Sequence, residues 1–93
     1  SGRRVAHLVN DTLRDYIEFD DGYALVKMTP PTEMLDKTLT ESQVRSRYGV
    51  TVVGVKEPGE DFHHAVPGTM VGRHHSIIVS GPVTAIERLA SRP

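Results

Sequence analysis

Along this chain the spacing of apolar positions changes period several times, and each change marks an element. Val5, Leu8, Val9 and Leu13 recur at helical spacing among Arg3, Arg4, Asn10 and Asp11, predicting a short amphipathic helix from Arg3 to Leu13. "DYIEF" and "YALVKM" then read as strands, loaded by Tyr16, Ile17 and Phe19 and by Tyr23, Leu25 and Met28. Asp20-Asp21-Gly22 between them can supply the left-handed backbone of a tight hairpin. Pro30-Pro31 closes the hairpin, since neither residue can donate to a ladder. A second helix is expected from Thr40, with Thr40 and Gln43 in capping-box spacing and Leu39 and Val44 facing inward. It should stop at Gly49.

The run Val50 to Val55 is expected as an interior strand with valines on both faces. "EPGED" makes a turn, and Phe62 to Val66 reads as a more polar edge strand. After the Pro67-Gly68 turn, Ser76 to Val79 is a second buried strand. Gly81-Pro82 opens a last helix with Val83, Ile86, Leu89 and Ala90 on one face. The order is helix, hairpin, helix, three strands, helix. That is an α+β fold, a small mixed or antiparallel sheet with helices packed on it.

Composition narrows the function more than the fold. At 93 residues there is one domain's worth of chain, whose modest core a partner copy would supplement. The formal net charge of -1 gives no basic excess for nucleic acid, so no nucleic-acid partner is expected. No apolar stretch approaches the ~20 residues needed to cross a bilayer. There are no cysteines, which excludes disulfides, zinc-thiolate sites and thiol catalysis and fits a reducing compartment. The chain opens Ser1-Gly2 rather than with methionine, which reads as a cut within a longer protein.

Chemistry concentrates at "VRSRYGVTVVGVK", where Arg45 and Arg47 stand directly before the valine run. One account is structural: cations in a last helical turn complement the helix dipole by about 0.3–1 kcal/mol, and their stems cover apolar surface. The other is functional: a guanidinium fixed at a helix-to-strand junction can grip a phosphate with two parallel hydrogen bonds. A valine floor beside it would accept a purine base.

Elsewhere the signals are weaker. The paired histidines His63-His64 and His74-His75 raise a metal alternative with zinc or nickel, but strand neighbours point to opposite faces and no helical His-x-x-x-His spacing supports it. Edge-strand surface histidines, with no metal site, are the expected state. Asp20-Asp21 and Glu60-Asp61 lie in turn sequence, no serine sits in a nucleophile-elbow pattern, and no phosphate-binding glycine loop occurs. The chain is expected not to be an enzyme.

"LTESQVRSRYGVTVVGVKEPG" resembles the signature of the TrkA-C, or RCK C-terminal, domain. "DYIEFDDGYALVKMTPP" and "DKTLTES" resemble the family's preceding hairpin and loop, "PGTMV" and "IIVSGPVTAIERLA" its closing strand and helix, and "GRRVAHLV" its linking helix. The resemblance divides the chain into a linking helix, residues 1–14, and a ligand-binding domain, residues 15–93. It implies a cytoplasmic regulatory domain of a bacterial potassium channel, transporter or cation-proton exchanger. It further implies a homodimer that binds a small anionic ligand, cyclic di-AMP in the first place, between two copies. No other cofactor is required. By position, Arg45 matches the phosphate-gripping arginine, Leu39, Val44 and Val52 the lining of the base pocket, and Pro67 a proline beside it. Thr51 stands where such binders often have asparagine, and a hydroxyl cannot offer both an amide donor and a carbonyl acceptor. His74-His75 replaces a Gly-Asp pair, so that turn is expected to change shape. Two alternatives stay open: a ligand-free structural dimerisation module of the same kind of subunit, and a histidine-based metal sensor.

Overall fold

The computed structural model describes residues 3–4 and 13–91. Their centre is a six-stranded sheet, antiparallel throughout, in the order β1-β2-β3-β8-β5-β6. The strands are β1 Arg3–Arg4, β2 Leu13–Phe19, β3 Tyr23–Met28, β5 Thr51–Lys56, β6 His63–His64 and β8 Ser76–Pro82. Two short strands, β4 Lys37–Thr38 and β7 Met70–Val71, pair separately. The helices are α1 Leu39–Ser42, α2 Val44–Tyr48 and α3 Val83–Ala90. None of the described helices is long and apolar enough to cross a membrane.

The α+β architecture read from the sequence is the one observed. β2 and β3 form the expected hairpin, and the turn between them takes positive φ at Asp21 (71°) and Gly22 (70°). The expected N-terminal helix fares differently at its ends. Arg3 and Arg4 are extended and pair with Phe19 and Glu18, and Leu13 already belongs to β2. Its middle, residues 5–12, lies outside the described residues.

One face of the sheet carries the core. Ala24, Val26 and Met28 of β3, Ile77 and Val79 of β8, and Val52 and Val55 of β5 are all buried. α3 covers β3 and β8 with Ala85, Ile86, Leu89 and Ala90, the amphipathic face expected of it. β8 runs through Gly81 to Pro82, so the Gly-Pro step ends a strand as well as opening the helix. Fully burying side chains such as Ile77 or Leu89 contributes about 1.5–3 kcal/mol each.

The valine strand is interior, as expected, but its valines do not divide evenly between faces. β5 has a bulge: Val52 pairs with Val79 and Gly54 with Ile78, leaving Val53 as the extra residue. The bulge resets the alternation, so Val52 and Val55 both face the core while Val53 is 39% exposed. The edge strand expected over 62–66 is confined to His63–His64.

The second helix also departs from its expected form. Its N-cap is Thr38, not Thr40: the Glu41 amide donates to Thr38 Oγ1 at 3.1 Å, and the Thr38 amide donates to Glu41 Oε1 at 2.8 Å. "TLTESQ" holds two overlapping capping frames, and the one ending in a carboxylate forms the stronger, charge-assisted bond. Gln43 cannot serve as the third residue of the other frame, because it adopts φ 55° and ψ 30° and breaks the helix into α1 and α2. Gly49 ends α2 at φ 78°, as expected, and its amide donates to the Arg45 carbonyl at 3.0 Å.

Candidate functional site

The two short helices, the start of β5 and the segment 65–67 enclose an open cleft of about 710 Å³. α1 reaches its position because its amides are anchored across the cleft: Leu39 N donates to Thr69 O at 3.0 Å and Thr40 N to Pro67 O at 3.1 Å. The β4–β7 pair holds the same two segments together from behind. Opposite the helices, the Ala65 amide donates to Val53 O at 3.2 Å, extending the edge of β5 along the cleft.

All six residues matched to the TrkA-C pocket line this one cleft: Leu39, Val44, Arg45, Thr51, Val52 and Pro67. Val44, Val50 and Val52 are buried and form an apolar floor. Thr40, Gln43, Ser46, Val50, Ala65 and Val66 complete the lining, and sequence reasoning did not single them out. Val50 was legible as strand core. Thr40 and Gln43 were read only as capping residues; Gln43 has instead a left-handed backbone and lines the cleft.

The polar groups of the cleft differ in their freedom. Thr40 Oγ1 donates to Pro67 O at 3.1 Å, and Ser46 Oγ to Gln43 O at 3.2 Å. Arg45 is exposed, and its guanidinium has no hydrogen-bond or ion-pair partner among the described residues. No carboxylate lines the cleft. The neighbouring arginine is committed elsewhere: Arg47 Nη1 lies 2.8 Å from Glu33 Oε1, and its guanidinium carbon is 5.5 Å from the centre of the Tyr48 ring. The two readings of "VRSRYG" therefore apply to different residues. Arg47 is structural, and Arg45 is available. An unpaired cation above an apolar floor is an arrangement that accepts an anion attached to a planar or apolar group.

The histidines stand apart from the cleft. His63 and His64 are exposed on the sheet edge, and His63 Nδ1 lies 3.2 Å from His64 O. The turn Gly72–His75 closes through His75 N to Gly72 O at 3.2 Å and through Gly72 N to His75 Nδ1 at 3.0 Å. Neither His74 nor His75 takes a positive φ, so this turn dispenses with the conformation a glycine would serve. No group of three or more His, Asp or Glu side chains able to hold a metal occurs among the described residues.

Comparison with known proteins bears on the fold and its setting. No protein-family model matches the chain. Over 91 residues it is 28% identical to the Ktr system potassium uptake protein C of Bacillus subtilis, covering 97% of this chain and 41% of that protein. It is 23% identical over 88 residues to the Ktr system potassium uptake protein A of the same organism, covering 94% and 40%. The chain thus spans about two fifths of the length of these relatives. Among solved structures, the GsuK RCK domain superposes over 98% of this chain and 19% of its own, with a TM-score of 0.61 at 20% identity. The chain has the fold of an RCK domain. The resemblance to the TrkA-C, or RCK C-terminal, domain drawn from the sequence is upheld. A second structure, the GsuK channel bound to NAD, matches over 74% of this chain and 13% of its own, with a TM-score of 0.66 at 22% identity.

Proposed function

We propose that this RCK domain regulates a bacterial potassium-uptake or cation-exchange system by binding a small anionic nucleotide in the α1–α2–β5 cleft. Cyclic di-AMP, the ligand implied by the resemblance of the sequence to the TrkA-C domain, is the first candidate. The observation that carries this reading is Arg45, an unpartnered guanidinium beside the buried floor of Val44, Val50 and Val52. One arginine per chain suits a ligand with one phosphate per half, and a twofold ligand suits two copies related by a twofold axis. Val66, which lines the cleft, is 56% exposed and offers apolar surface that a second copy would cover. Two relatives are named for potassium uptake, which supports that setting; in this reading the domain belongs to a cytoplasmic regulatory subunit that acts on a membrane partner. Regulation then requires only that the ligand favour one dimer geometry over another.

Thr51 supports a second reading of the ligand within the same class. Without the asparagine amide, adenine would be held by shape and apolar contact more than by hydrogen bonds, and a linear dinucleotide also meets these demands. The GsuK channel carries NAD, whose adenine and two phosphates belong to that class.

Calorimetric titration of cyclic di-AMP, and of NAD in parallel, tests the proposal. One ligand per two chains, weakened by Arg45→Ala, is the expected result. Loss of charge-assisted hydrogen bonds of about 1.5–3 kcal/mol corresponds to roughly 10- to 150-fold in affinity. Absence of heat and of thermal shift with both nucleotides would leave the ligand-free dimerisation module as the better reading.

A further inference from the structure

α2 is a helix of five residues with a left-handed residue at each end. Gln43 lies at φ 55°, ψ 30° and Gly49 at φ 78°, ψ 24°. So short a helix has too few internal hydrogen bonds to hold itself, and its two flanking residues interrupt the backbone direction. The placement of α2, and of Arg45 with it, is therefore decided by what its other residues touch.

Besides the burial of Val44 in the cleft floor, the polar contacts of α2 are specific and lie outside the cleft. Glu33, in the single helical turn Thr32–Met34, holds two consecutive residues of α2 with its two oxygens. Oε2 accepts from the Tyr48 hydroxyl at 2.6 Å, and Oε1 lies 2.8 Å from Arg47 Nη1. On α3, Arg88 Nη2 donates at 3.0 Å to the Tyr48 carbonyl, one of the groups that a helix end leaves without an internal partner. The Arg88 guanidinium carbon also lies 5.9 Å from the Tyr48 ring centre. Tyr48 is 91% buried in terms of its own surface, being 9% exposed, so its ring is fixed once these partners are in place. Neither Glu33 nor Arg88 lines the cleft.

We propose that Glu33 and Arg88 are positioning residues of the nucleotide cleft, acting through α2 to aim Arg45, and that occupancy of the cleft is felt in return at α3. This rests on the reading of the cleft as an anionic-ligand site. α2 is the link, because Arg45 and Tyr48 belong to the same short helix and a displacement of that helix moves both. Binding coupling is reciprocal: if Arg88 stabilises the α2 placement that binds ligand, ligand strengthens the Arg88–Tyr48 contact by the same factor. α3 thereby gains a route by which the cleft communicates with whatever packs on that helix.

The test compares Glu33→Gln, Arg88→Ala and Arg88→Lys in this domain, each first shown to be folded by its amide spectrum. Glu33→Gln keeps the shape and the acceptor for the Tyr48 hydroxyl while removing the charge that holds Arg47. Arg88→Lys keeps a cationic donor for the Tyr48 carbonyl. In the free protein, the Val44 methyl and Arg45 Nε signals are expected to shift in Glu33→Gln and Arg88→Ala. The cyclic di-AMP dissociation constant should rise about fivefold to a hundredfold in the same two variants and recover in Arg88→Lys. Unmoved Val44 and Arg45 signals with unchanged affinity would overturn the positioning role. If wild-type protein binds no cyclic di-AMP, the ligand reading fails by itself, and the free-protein signals still decide whether Glu33 and Arg88 set Arg45. Should Arg88→Ala fail to fold, Glu33→Gln carries both measurements.

Discussion

Replacing Gly81 with alanine sets one methyl group against the corner where α2 gives way to β5. A Cβ at Gly81 would stand 3.2 Å from the Gly49 carbonyl oxygen, 3.2 Å from Val50 Cγ1 and 3.3 Å from Val50 Cα. Two of these three atoms are backbone and cannot rotate aside. The third belongs to a fully buried valine in the floor of the cleft. Overpacking of this kind costs about 1–3 kcal/mol. Against it stands the restriction of the unfolded chain by alanine, which offsets about 0.4–1 kcal/mol. The net expectation is a loss of about 1–2 kcal/mol, or a fall in melting temperature of roughly 5–15 °C for a domain of this size. Urea unfolding followed by circular dichroism measures it directly, with the slope expected to stay constant while the midpoint falls by about 1 M. Gly68→Ala is the matched control: nothing lies within 4 Å of its Cβ and its φ is not positive, so it should be neutral or slightly stabilising. An unchanged or raised midpoint for Gly81→Ala would refute the claim that β8 and the Gly49–Val50 corner are in contact as described.

Four other substitutions probe separate parts of the structure. Gly49→Ala meets open space but must hold φ 78°, so it should cost about 1–2 kcal/mol from backbone strain alone, read as a lower melting temperature. Thr38→Ala removes one half of the capping box and should cost about 1 kcal/mol, whereas Thr40→Ala, outside the cap, should cost less; equal losses would contradict the capping frame. Thr51→Asn restores an amide at the mouth of the cleft and should tighten cyclic di-AMP roughly 3- to 10-fold by calorimetry, in line with one or two added hydrogen bonds. No gain would mean that the base does not lie against this position.

What the sequence revealed, and what it concealed, follows from how local each cause is. Asp20-Asp21-Gly22 announced its hairpin because the turn residues and both alternating runs lie within a few positions of each other. Gly49 announced its helix end for the same reason. The six cleft residues were reached through resemblance, with composition alone leaving Arg45 and Arg47 equivalent. What separates those two is Glu33, which lies fourteen positions before Arg47 in the chain and approaches it only in the folded domain. The split at Gln43 was equally silent, since a glutamine normally extends a helix and its left-handed backbone here answers to packing on both sides. The β4–β7 pair is two residues long on each side, too short for any period to show. The β5 bulge was hidden by the valine run itself, in which every register looks equally apolar.

β8 lies between β3 and β5 although it is the last strand in the chain. Its ladder partners are distant, with Tyr23 beside Pro82 and Val52 beside Val79. Until β8 arrives, the hairpin of β2 and β3 and the strands β5 and β6 have no common sheet, and each presents an unsatisfied edge. Closing such long loops is slow because their entropy is lost before the core is gained. The slot between β3 and β5 also has the shape for a neighbour's final strand, which competes with the tethered β8 at the disadvantage of an intermolecular encounter. Exchange of β8 is therefore the misassembly this topology predicts, and it would differ from a dimer formed across the cleft.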